Sequence, residues 1–436
     1  MIHAKNSLGL IFFPAFDWAI SPTHPEREER LLYTQDQLRE EGVFDIEGII
    51  EYKPEMATPE DVARTHFCFP GIDRVTTVSH FISAGGAIKA AKLVLEKQTE
   101  KAFALVRPPG HHAMKVVHGN RGFCNINIEA VMIEYIREHY GPKRIAIVDT
   151  DCHHGDGTQD IYWHDPEVLY ISLHQDGRTL YPGTGFPSEL GGPNALGKNI
   201  NIPLPPGTSD EGFLYVIDHV VLPILQDFQP DLVINSAGQD NHYTDPITNM
   251  NFSAQGYAQL NEKLNPDIAV LEGGYSIQGA LPYINAGIVL AMAGIDYSYV
   301  HEPDYNPNTL RQSAKLNEYI QQVAETVLTC YEHPEQFCSY NTEPGTYHTR
   351  QKNIFYDTDN IHEQQTEAIM VCEACSGVLS IETRSSVNPL CLGIQIPFGA
   401  CERCRDEGYR VLEKARKSKK YAHISLINRR DREYLY

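Results

Sequence analysis

The sequence has few cysteines, two tryptophans and no excess of basic residues. Ten cysteines in 436 residues are too sparse for a disulfide framework and indicate a reduced compartment, so we expect a cytoplasmic protein. Lysine and arginine number 36 against 57 acidic residues, and the net charge of −21 disfavours general binding to nucleic acid or anionic membranes. This charge suits a small or cationic ligand, and 42% hydrophobic residues suffice for a large globular core.

Long hydrophobic runs are also missing. The apolar run at residues 8–13 is short, and Asp17 and Trp18 follow where a signal peptide would have small residues at its cleavage site. We therefore interpret this run as the first strand. We expect no run to approach the length of a membrane-spanning helix.

Short apolar runs alternate with segments of helical spacing up to about residue 300. The runs predict strands at 7–13, 101–106, 145–149, 168–173, 231–236 and 267–271, and the spacing predicts helices at 83–97 and 209–228. This alternation indicates a parallel sheet with helices on both faces, in which ligands bind beyond the carboxyl ends of the strands. The polar clusters RPPGHH, DTDCHHGDG, SLHQDG, SAGQDNHYTDP and EGGY all follow predicted strands. Five clusters on one edge favour a functional site over helix caps and buried core histidines.

The run DTDCHHGDG holds candidate metal ligands. If it continues the strand, residues two apart share a face, so Asp149, Asp151 and His153 can point the same way. A carboxylate and an imidazole supply two ligands, and a catalytic zinc usually takes three. Asp240, in the cluster that follows the strand at 231–236, is the best candidate for the third.

Two adjacent histidines follow a stiff Pro-Pro-Gly turn and are better suited to proton transfer than to sharing one metal. His111 and His112 each need a carboxylate to fix the tautomer, and Asp149 and Asp156 are available. A plain surface turn remains an alternative for this motif alone. Tyr275 follows a glycine pair at a strand end, where its phenol can donate to a developing oxyanion or simply pack.

Two CxxC pairs near the C-terminus predict a second metal site. Residues 376–400 separate the pairs, slightly more than in most zinc ribbons, and four thiolates form a closed tetrahedral site for structural zinc. The ligands are Cys372, Cys375, Cys401 and Cys404. A redox dithiol is less favoured, and weak nucleic-acid binding by the basic tail is a minority alternative.

Seven motifs, in order, resemble the histone deacetylase superfamily, including its bacterial acetoin-utilisation and amidohydrolase-like members. They are RPPGHHA, GFCNINIEAV, VDTDCHHGDGTQD, SLHQDGRTLYPGTG, NIPLPPGTSD, SAGQDNHYTDPI and LEGGYS, within a match from about residue 7 to about 295. The resemblance implies the arginase/deacetylase-like α/β fold, a parallel sheet of about eight strands flanked by helices on both faces. It also implies zinc-dependent hydrolysis of an acetyl amide, with acetyl-lysine in protein or a small acetylated amine as substrate.

The same resemblance implies a role for each site residue. Asp151, His153 and Asp240 would bind the catalytic zinc. His111 would pair with Asp149 and His112 with Asp156, and His112 would be the general base. Tyr275 would donate to the substrate carbonyl. Gly122, Phe123 and Tyr181 would form the wall of the tunnel that takes the acyl-lysine, and Arg30 would line the pocket below it. A monovalent cation, expected to be potassium, would bind Asp149, Asp151, His153, Ser172 and Leu173, and a second one the backbone near Tyr162, Asp165 and Val168.

Some positions depart from the family pattern. Gln239 stands where the family more often has Phe or Ala, and Ile247 stands where polyamine-specific relatives carry an acidic residue. Residues 65–73 fall where relatives carry a substrate-gripping loop, and they do not align well. The substrate therefore stays open.

We predict a catalytic domain at residues 1–300, a helical and irregular linker at 301–365, a four-cysteine zinc-ribbon-like module at 366–412 and a basic tail at 413–436. Two other functions compete with the deacetylase interpretation: a binuclear-metal ureohydrolase and a non-catalytic zinc-ribbon scaffold. A membrane partner is not expected, and homo-oligomerisation is left open.

Overall fold

The computed structural model describes residues 2–21, 23–141, 143–340 and 343–436. Its strands are β1 His3–Phe13, β2 Glu47–Tyr52, β3 Phe67–Cys68, β4 Lys101–Val106, β5 Val116–Val117, β6 Ile145–Asp149, β7 Val168–Gln175, β8 Asn199–Leu204, β9 Leu232–Ala237, β10 Ile268–Leu271, β11 Tyr347–Tyr356, β12 Ile361–Met370, β13 Leu379–Ser385, β14 Cys391–Ile396, β15 His423–Asn428 and β16 Glu433–Leu435. Its α-helices are α1 Glu29–Glu40, α2 Pro59–Ala63, α3 Ile72–Val75, α4 Val78–Leu95, α5 Ile128–Tyr140, α6 Asp156–Tyr162, α7 Asp210–Val216, α8 Leu222–Phe228, α9 Ala254–Leu264, α10 Leu281–Ala293, α11 Ala314–Glu332 and α12 Glu402–Ser418.

An eight-stranded parallel sheet forms the centre of the first 300 residues, as the sequence predicted. Its order is β2-β1-β4-β10-β9-β6-β7-β8, and apolar side chains cover both faces. The six predicted strands correspond to β1, β4, β6, β7, β9 and β10. The prediction missed β8 because it alternates isoleucine with buried Asn199 and Asn201, whose amides donate to Gln159. It missed the edge strand β2 because only one of its residues, Ile49, is fully buried.

Helix α4 corrects one expectation. It is long and apolar enough to cross a membrane by length and composition, contrary to the prediction that no run would be. Most of it is buried, because it packs against α5, β1 and β4 as a core helix. Its glycines permit this close packing: a Cβ on Gly86 would lie 2.6 Å from Val106 Cγ1.

The C-terminal region forms a second sheet, in the order β11-β12-β13-β14-β15-β16, with α12 packed against β14 and β15. The structure differs here from the predicted boundaries. Strand β11 and half of β12 lie in the predicted irregular linker, and the predicted basic tail contains the end of α12 with β15 and β16. Three of the inward positions of β12 are polar, Glu363, Gln365 and Glu367, so the middle of the strand lacks the hydrophobic alternation by which strands are recognised.

Candidate functional site

The predicted site residues lie on loops that follow neighbouring strands of the parallel sheet. Strand β4 leads to the tandem histidines, β6 to the run DTDCHHGDG, β9 to Asp240 and β10 to Tyr275. Because β4, β10, β9 and β6 are consecutive in the sheet, their carboxyl ends bring these loops together. The structure therefore places distant parts of the chain around one buried centre.

Asp151, His153 and Asp240 form a candidate metal centre. Their ligand atoms all lie within 4.8 Å of one another. His153 Nδ1 lies 2.8 Å from Asp240 Oδ2 and 3.3 Å from Asp151 Oδ1. The remaining lone pairs are oriented by backbone donors, since the N–H of Cys152 binds Asp240 and the N–H of Gly273 binds Asp151.

The chemistry of this cluster fits a cation. Both carboxylates are fully buried, and burial together with the charge of Asp151 raises the pKa of Asp240. Two buried carboxylates close together favour a positive charge between them. The loop after β10 leaves room for the ligand atoms, because a Cβ on Gly273 would lie 2.5 Å from Asp240 Oδ2 and 2.6 Å from Asp151 Oδ2. Two oxygen ligands and one nitrogen ligand suit zinc.

His111 pairs with Asp149. The distance from His111 Nδ1 to Asp149 Oδ2 is 3.1 Å, and the Tyr170 hydroxyl donates to the same oxygen at 2.8 Å. Burial opposes a charge on the ring, but Asp151 and Asp149 raise the pKa of His111 well above its ordinary value. These two carboxylates therefore favour the imidazolium form of His111.

His112 pairs with Asp156 but has the opposite charge preference. Its Nδ1 lies 3.0 Å from Asp156 Oδ1. Burial and the positive charge of His111 lower the pKa of His112 to about 3, and Arg121 contributes to the shift. Since Arg121 also binds Asp156 through two nitrogens, this carboxylate has little capacity left to stabilise a second cation. Neutral His112 can accept a proton.

Tyr275 is buried, and Arg30 packs against its ring. Burial raises the pKa of its phenol well above the ordinary value, so the hydroxyl remains a donor. Arg30 lies under the ring, 5.1 Å from its centre, and donates to the carbonyl oxygen of Gly274 at 2.7 Å. Arg30 also pairs with buried Glu26. In this structure Arg30 supports the loop that carries Tyr275.

The three predicted tunnel residues lie against the proposed catalytic side chains His112, His153 and Tyr275. The Tyr181 ring lies 5.2 Å from that of His112 and 6.4 Å from that of His153, in edge-on contact. Phe123 meets the Tyr275 ring edge-on at 5.8 Å. The backbone of Gly122 lies against His112, since a Cβ on this glycine would be 2.4 Å from His112 Cδ2.

The residues predicted to hold monovalent cations lie below the site and beside it. Asp149 and Ser172 face each other in the pairing of β6 with β7, and Leu173 follows. Near the second predicted position, the carboxylate of Asp165 binds Arg137 at 2.6 Å. Tyr162 and Val168 are buried beside it. Cation binding at both places stays a prediction.

The predicted clustering of the four C-terminal cysteines is confirmed. Their sulfur atoms lie within 4.8 Å of one another, and Cys401 Sγ is 3.8 Å from Cys372 Sγ and 3.9 Å from Cys375 Sγ. Cys404, in the first turn of α12, is fully buried in the apolar core that the helix forms with the C-terminal sheet. Burial opposes ionisation, but hydrogen bonds led by the N–H of Ala374 lower the pKa of Cys372 to about 7. Four converging sulfur atoms could form a zinc site.

Sequence reasoning missed three residues that reach this site. Tyr170 lies in β7 and donates to Asp149. It is two residues before Ser172 in a predicted strand, so strand alternation places both on one face, and this spacing was a usable signal. Arg121 precedes the predicted tunnel residue Gly122, and a cation beside the general base could have been considered. Asp357 binds both Gly122 and Tyr181 from the turn between β11 and β12, and no local pattern indicated it.

Comparison with known proteins agrees with this geometry. The model of the histone deacetylase domain matches residues 72–291. A probable deacetylase of Archaeoglobus fulgidus is 47% identical over 336 residues, covering 70% of this chain and 92% of that protein. The histone deacetylase-like amidohydrolase of Pseudomonas aeruginosa is 34% identical over 231 residues, covering 51% of this chain and 60% of that protein. The crystal structure of the HDA15 HD domain matches 77% of this chain and 98% of its own, with a TM-score of 0.65 and 27% identity.

Two histidine–aspartate pairs beside a buried carboxylate and imidazole cluster, at the carboxyl edge of a parallel sheet, define the site of a hydrolase. The chain belongs to the histone deacetylase family. The resemblance read from the seven motifs is thereby confirmed, together with the fold that it implied.

Proposed function

We propose that this protein is a zinc-dependent deacetylase that hydrolyses the amide of acetyl-lysine or of a small acetylated amine. The observation that carries the proposal is that a three-ligand cluster, two histidine–aspartate pairs and a buried tyrosine lie together. A bound zinc ion would supply Lewis acidity and would lower the pKa of a water molecule toward neutrality. Asp151, His153 and Asp240 would hold it.

His112 is the general base in this proposal. A base must be neutral at the working pH, and the low pKa of His112 satisfies this condition. Asp156 accepts from Nδ1–H and so leaves Nε2 free to take a proton from water. His111 is better suited to electrostatic stabilisation, because its neighbouring carboxylates favour its charged form.

Tyr275 stabilises the carbonyl oxygen of the substrate as negative charge develops there. Its high pKa keeps the proton on the phenol, and the loop held by Arg30 fixes its position. A preorganised donor of this kind acts mainly in the transition state. Phe123, Gly122 and Tyr181 would enclose the aliphatic chain of an acetyl-lysine.

The proposal includes two further ions. A structural zinc bound by the four cysteines would fix the start of α12 to the end of β12, as the positions of Cys401 and Cys372 suggest. A potassium ion near Asp149 and Ser172 would offset part of the buried negative charge below the catalytic centre. The fully buried carboxylate of Asp149 supports such an ion.

The test combines a metal count with an activity measurement. We expect two zinc ions per chain and hydrolysis of a fluorogenic acetyl-lysine peptide that a chelator or a hydroxamate abolishes. Asp151→Asn should remove one zinc and the activity, whereas Asp218→Asn, which alters an exposed pair with Lys263, should retain both. Two metal ions at the catalytic cluster would favour a ureohydrolase. A zinc-loaded chain without turnover on acetyl-lysine and acetylpolyamine panels would favour the scaffold.

A further inference from the structure

The C-terminal sheet reaches the proposed substrate tunnel through one hairpin. Strands β11 and β12 pair along their whole length, and residues 357–360 form the turn between them. This turn carries two carboxylates, Asp357 and Asp359. Both accept hydrogen bonds from the segment at 118–123, the loop of the parallel-sheet domain that contains Gly122 and Phe123.

Asp357 binds two of the predicted tunnel residues, Gly122 and Tyr181. Its Oδ1 accepts the N–H of Gly122 at 3.0 Å and the hydroxyl of Tyr181 at 3.0 Å. These residues are 59 positions apart in the chain, and both pack against the His112 ring. A carboxylate forms stronger hydrogen bonds than a neutral acceptor. Because the same Asp357 oxygen accepts from both residues, it fixes the distance between Gly122 and Tyr181.

The rest of the hairpin is fixed to the same loop. Asp359 Oδ2 accepts the N–H of Asn120 at 2.6 Å, and a Cβ on Gly119 would lie 2.5 Å from that oxygen. Farther along the loop, His118 Nε2 lies 2.9 Å from Thr383 Oγ1 in β13. The loop therefore rests on the C-terminal sheet at several points, while its other side contacts the catalytic histidine.

Packing under the hairpin makes this support rigid. The Tyr356 ring is buried in a small apolar cluster with Met114, Ile354 and Ile361, and its hydroxyl donates to Val116 at 3.0 Å. A carboxylate on a rigid element holds its partners more accurately than one on a free loop. The C-terminal sheet is therefore suited to hold part of the substrate site in place.

We propose that Asp357 is a positioning residue that fixes Gly122 and Tyr181, and that the C-terminal sheet thereby sets the width of the tunnel that takes the acylated side chain. This proposal rests on the proposed function. Asp357 acts through the tunnel walls and not on the reacting atoms. Its loss should weaken substrate binding in the ground state and the transition state alike, which raises KM more than it lowers kcat.

The test is a set of variants in the full-length, zinc-loaded protein. For an acetyl-lysine peptide, Asp357→Ala should raise KM about tenfold and change kcat less than about threefold. Asp357→Asn keeps an acceptor oxygen without the charge and should show an intermediate KM. Asp406→Ala removes an exposed carboxylate from the same domain, where it pairs with Arg405, and should match the wild type.

A second measurement separates positioning from damage to the fold. Tyr181→Phe removes one donor, so its effect on KM should be less than additive with that of Asp357→Ala in the double variant. Amide hydrogen exchange at Gly122 should rise in Asp357→Ala and not in Asp406→Ala. A loss of kcat at unchanged KM, an additive double variant, or faster exchange with unchanged KM would each overturn the proposal.

Failure of the proposed function gives a different result. A wild-type chain that hydrolyses no acetyl amide contradicts the deacetylase assignment itself. The positioning role is then judged by Gly122 exchange and by the affinity for a linear hydroxamate with a lysine-length chain. Unchanged exchange and unchanged affinity in Asp357→Ala would overturn it without reference to turnover.

Discussion

Arg121 forms a two-nitrogen ion pair with Asp156, the carboxylate that also holds His112. Arg121 Nη1 and Nη2 each lie 2.7 Å from one of the carboxylate oxygens. The aspartate behind the proposed general base is thus neutralised by a fixed cation. This arrangement keeps His112 neutral while still fixing its tautomer.

Removal of this cation should therefore shift the pH profile. In Arg121→Gln, His112 loses one nearby positive charge and Asp156 regains capacity to stabilise a proton on the ring, so the pKa of His112 rises. The base works when neutral, and activity is lost as pH falls through its pKa. A higher pKa moves the acid limb of kcat/KM to higher pH, and kcat/KM measured across pH should show this.

The control for this shift is Arg144→Gln, because Arg144 stacks on Phe228 away from the site. Its profile should match that of the wild type. An acid limb at the same pH in Arg121→Gln and wild type would contradict the role given to Arg121. A shift toward lower pH would contradict it as well.

The phenol of Tyr275 should contribute to the rate and little to binding. Tyr275→Phe keeps the packing on Arg30 and Phe123 but removes the donor, so kcat should fall by about two orders of magnitude, as for the loss of one oxyanion donor. Steady-state kinetics on an acetyl-lysine peptide measures this. Tyr297→Phe removes a surface hydroxyl bonded to Glu262 and should leave kcat unchanged. Full activity of Tyr275→Phe would exclude the donor role.

The sequence predicted the parallel sheet and the clustering of the metal and proton-transfer residues because both signals are local. Apolar runs mark buried parallel strands, and the metal and proton-transfer residues lie directly after those runs, where topology brings them together. Arg121 and Asp357 could not be found in this way. Neither residue directly follows a strand of the parallel sheet: Arg121 lies in the loop after β5, and Asp357 lies in the turn between β11 and β12 of the C-terminal sheet.

The C-terminal boundaries show a second limit. The predicted irregular linker includes β11 and the first half of β12, whose inward positions lack an apolar pattern. Arg350 and Lys352, on β11, each form an ion pair with Glu367 on β12. Buried ion pairs replace apolar contacts there, so the hydrophobic pattern is absent although the strands are regular. The hydrophobic pattern of a single segment cannot predict ion pairs between residues that only the pairing of β11 with β12 brings together.

The four-cysteine cluster should contribute to stability through its metal. Cys404→Ser places a poor ligand at a fully buried position, so one zinc per chain should be lost and the melting temperature should fall. Each kcal/mol of unfolding free energy lost lowers Tm by about 4–8 °C in a domain of about 60–100 residues, the size of the region that contains the C-terminal sheet and α12. Metal analysis and calorimetry measure both effects. Cys338→Ser, outside the cluster, should retain both values, and an unchanged zinc count in Cys404→Ser would exclude the metal site.

Adding a single methyl group at Gly122 should lower kcat. Its φ is +53°, and a Cβ would lie 2.4 Å from His112 Cδ2, so Gly122→Ala must displace the catalytic ring or the loop. A displacement of about 1 Å at a proton-transfer group can lower the rate by about a hundredfold. Gly141→Ala is a matched control, because Gly141 also has a positive φ, +86°, but open space around its Cβ position. Both variants carry backbone strain and should lose some thermal stability, but only Gly122→Ala should lose kcat. Equal loss of kcat in the two variants would mean that strain, and not contact with His112, limits the reaction.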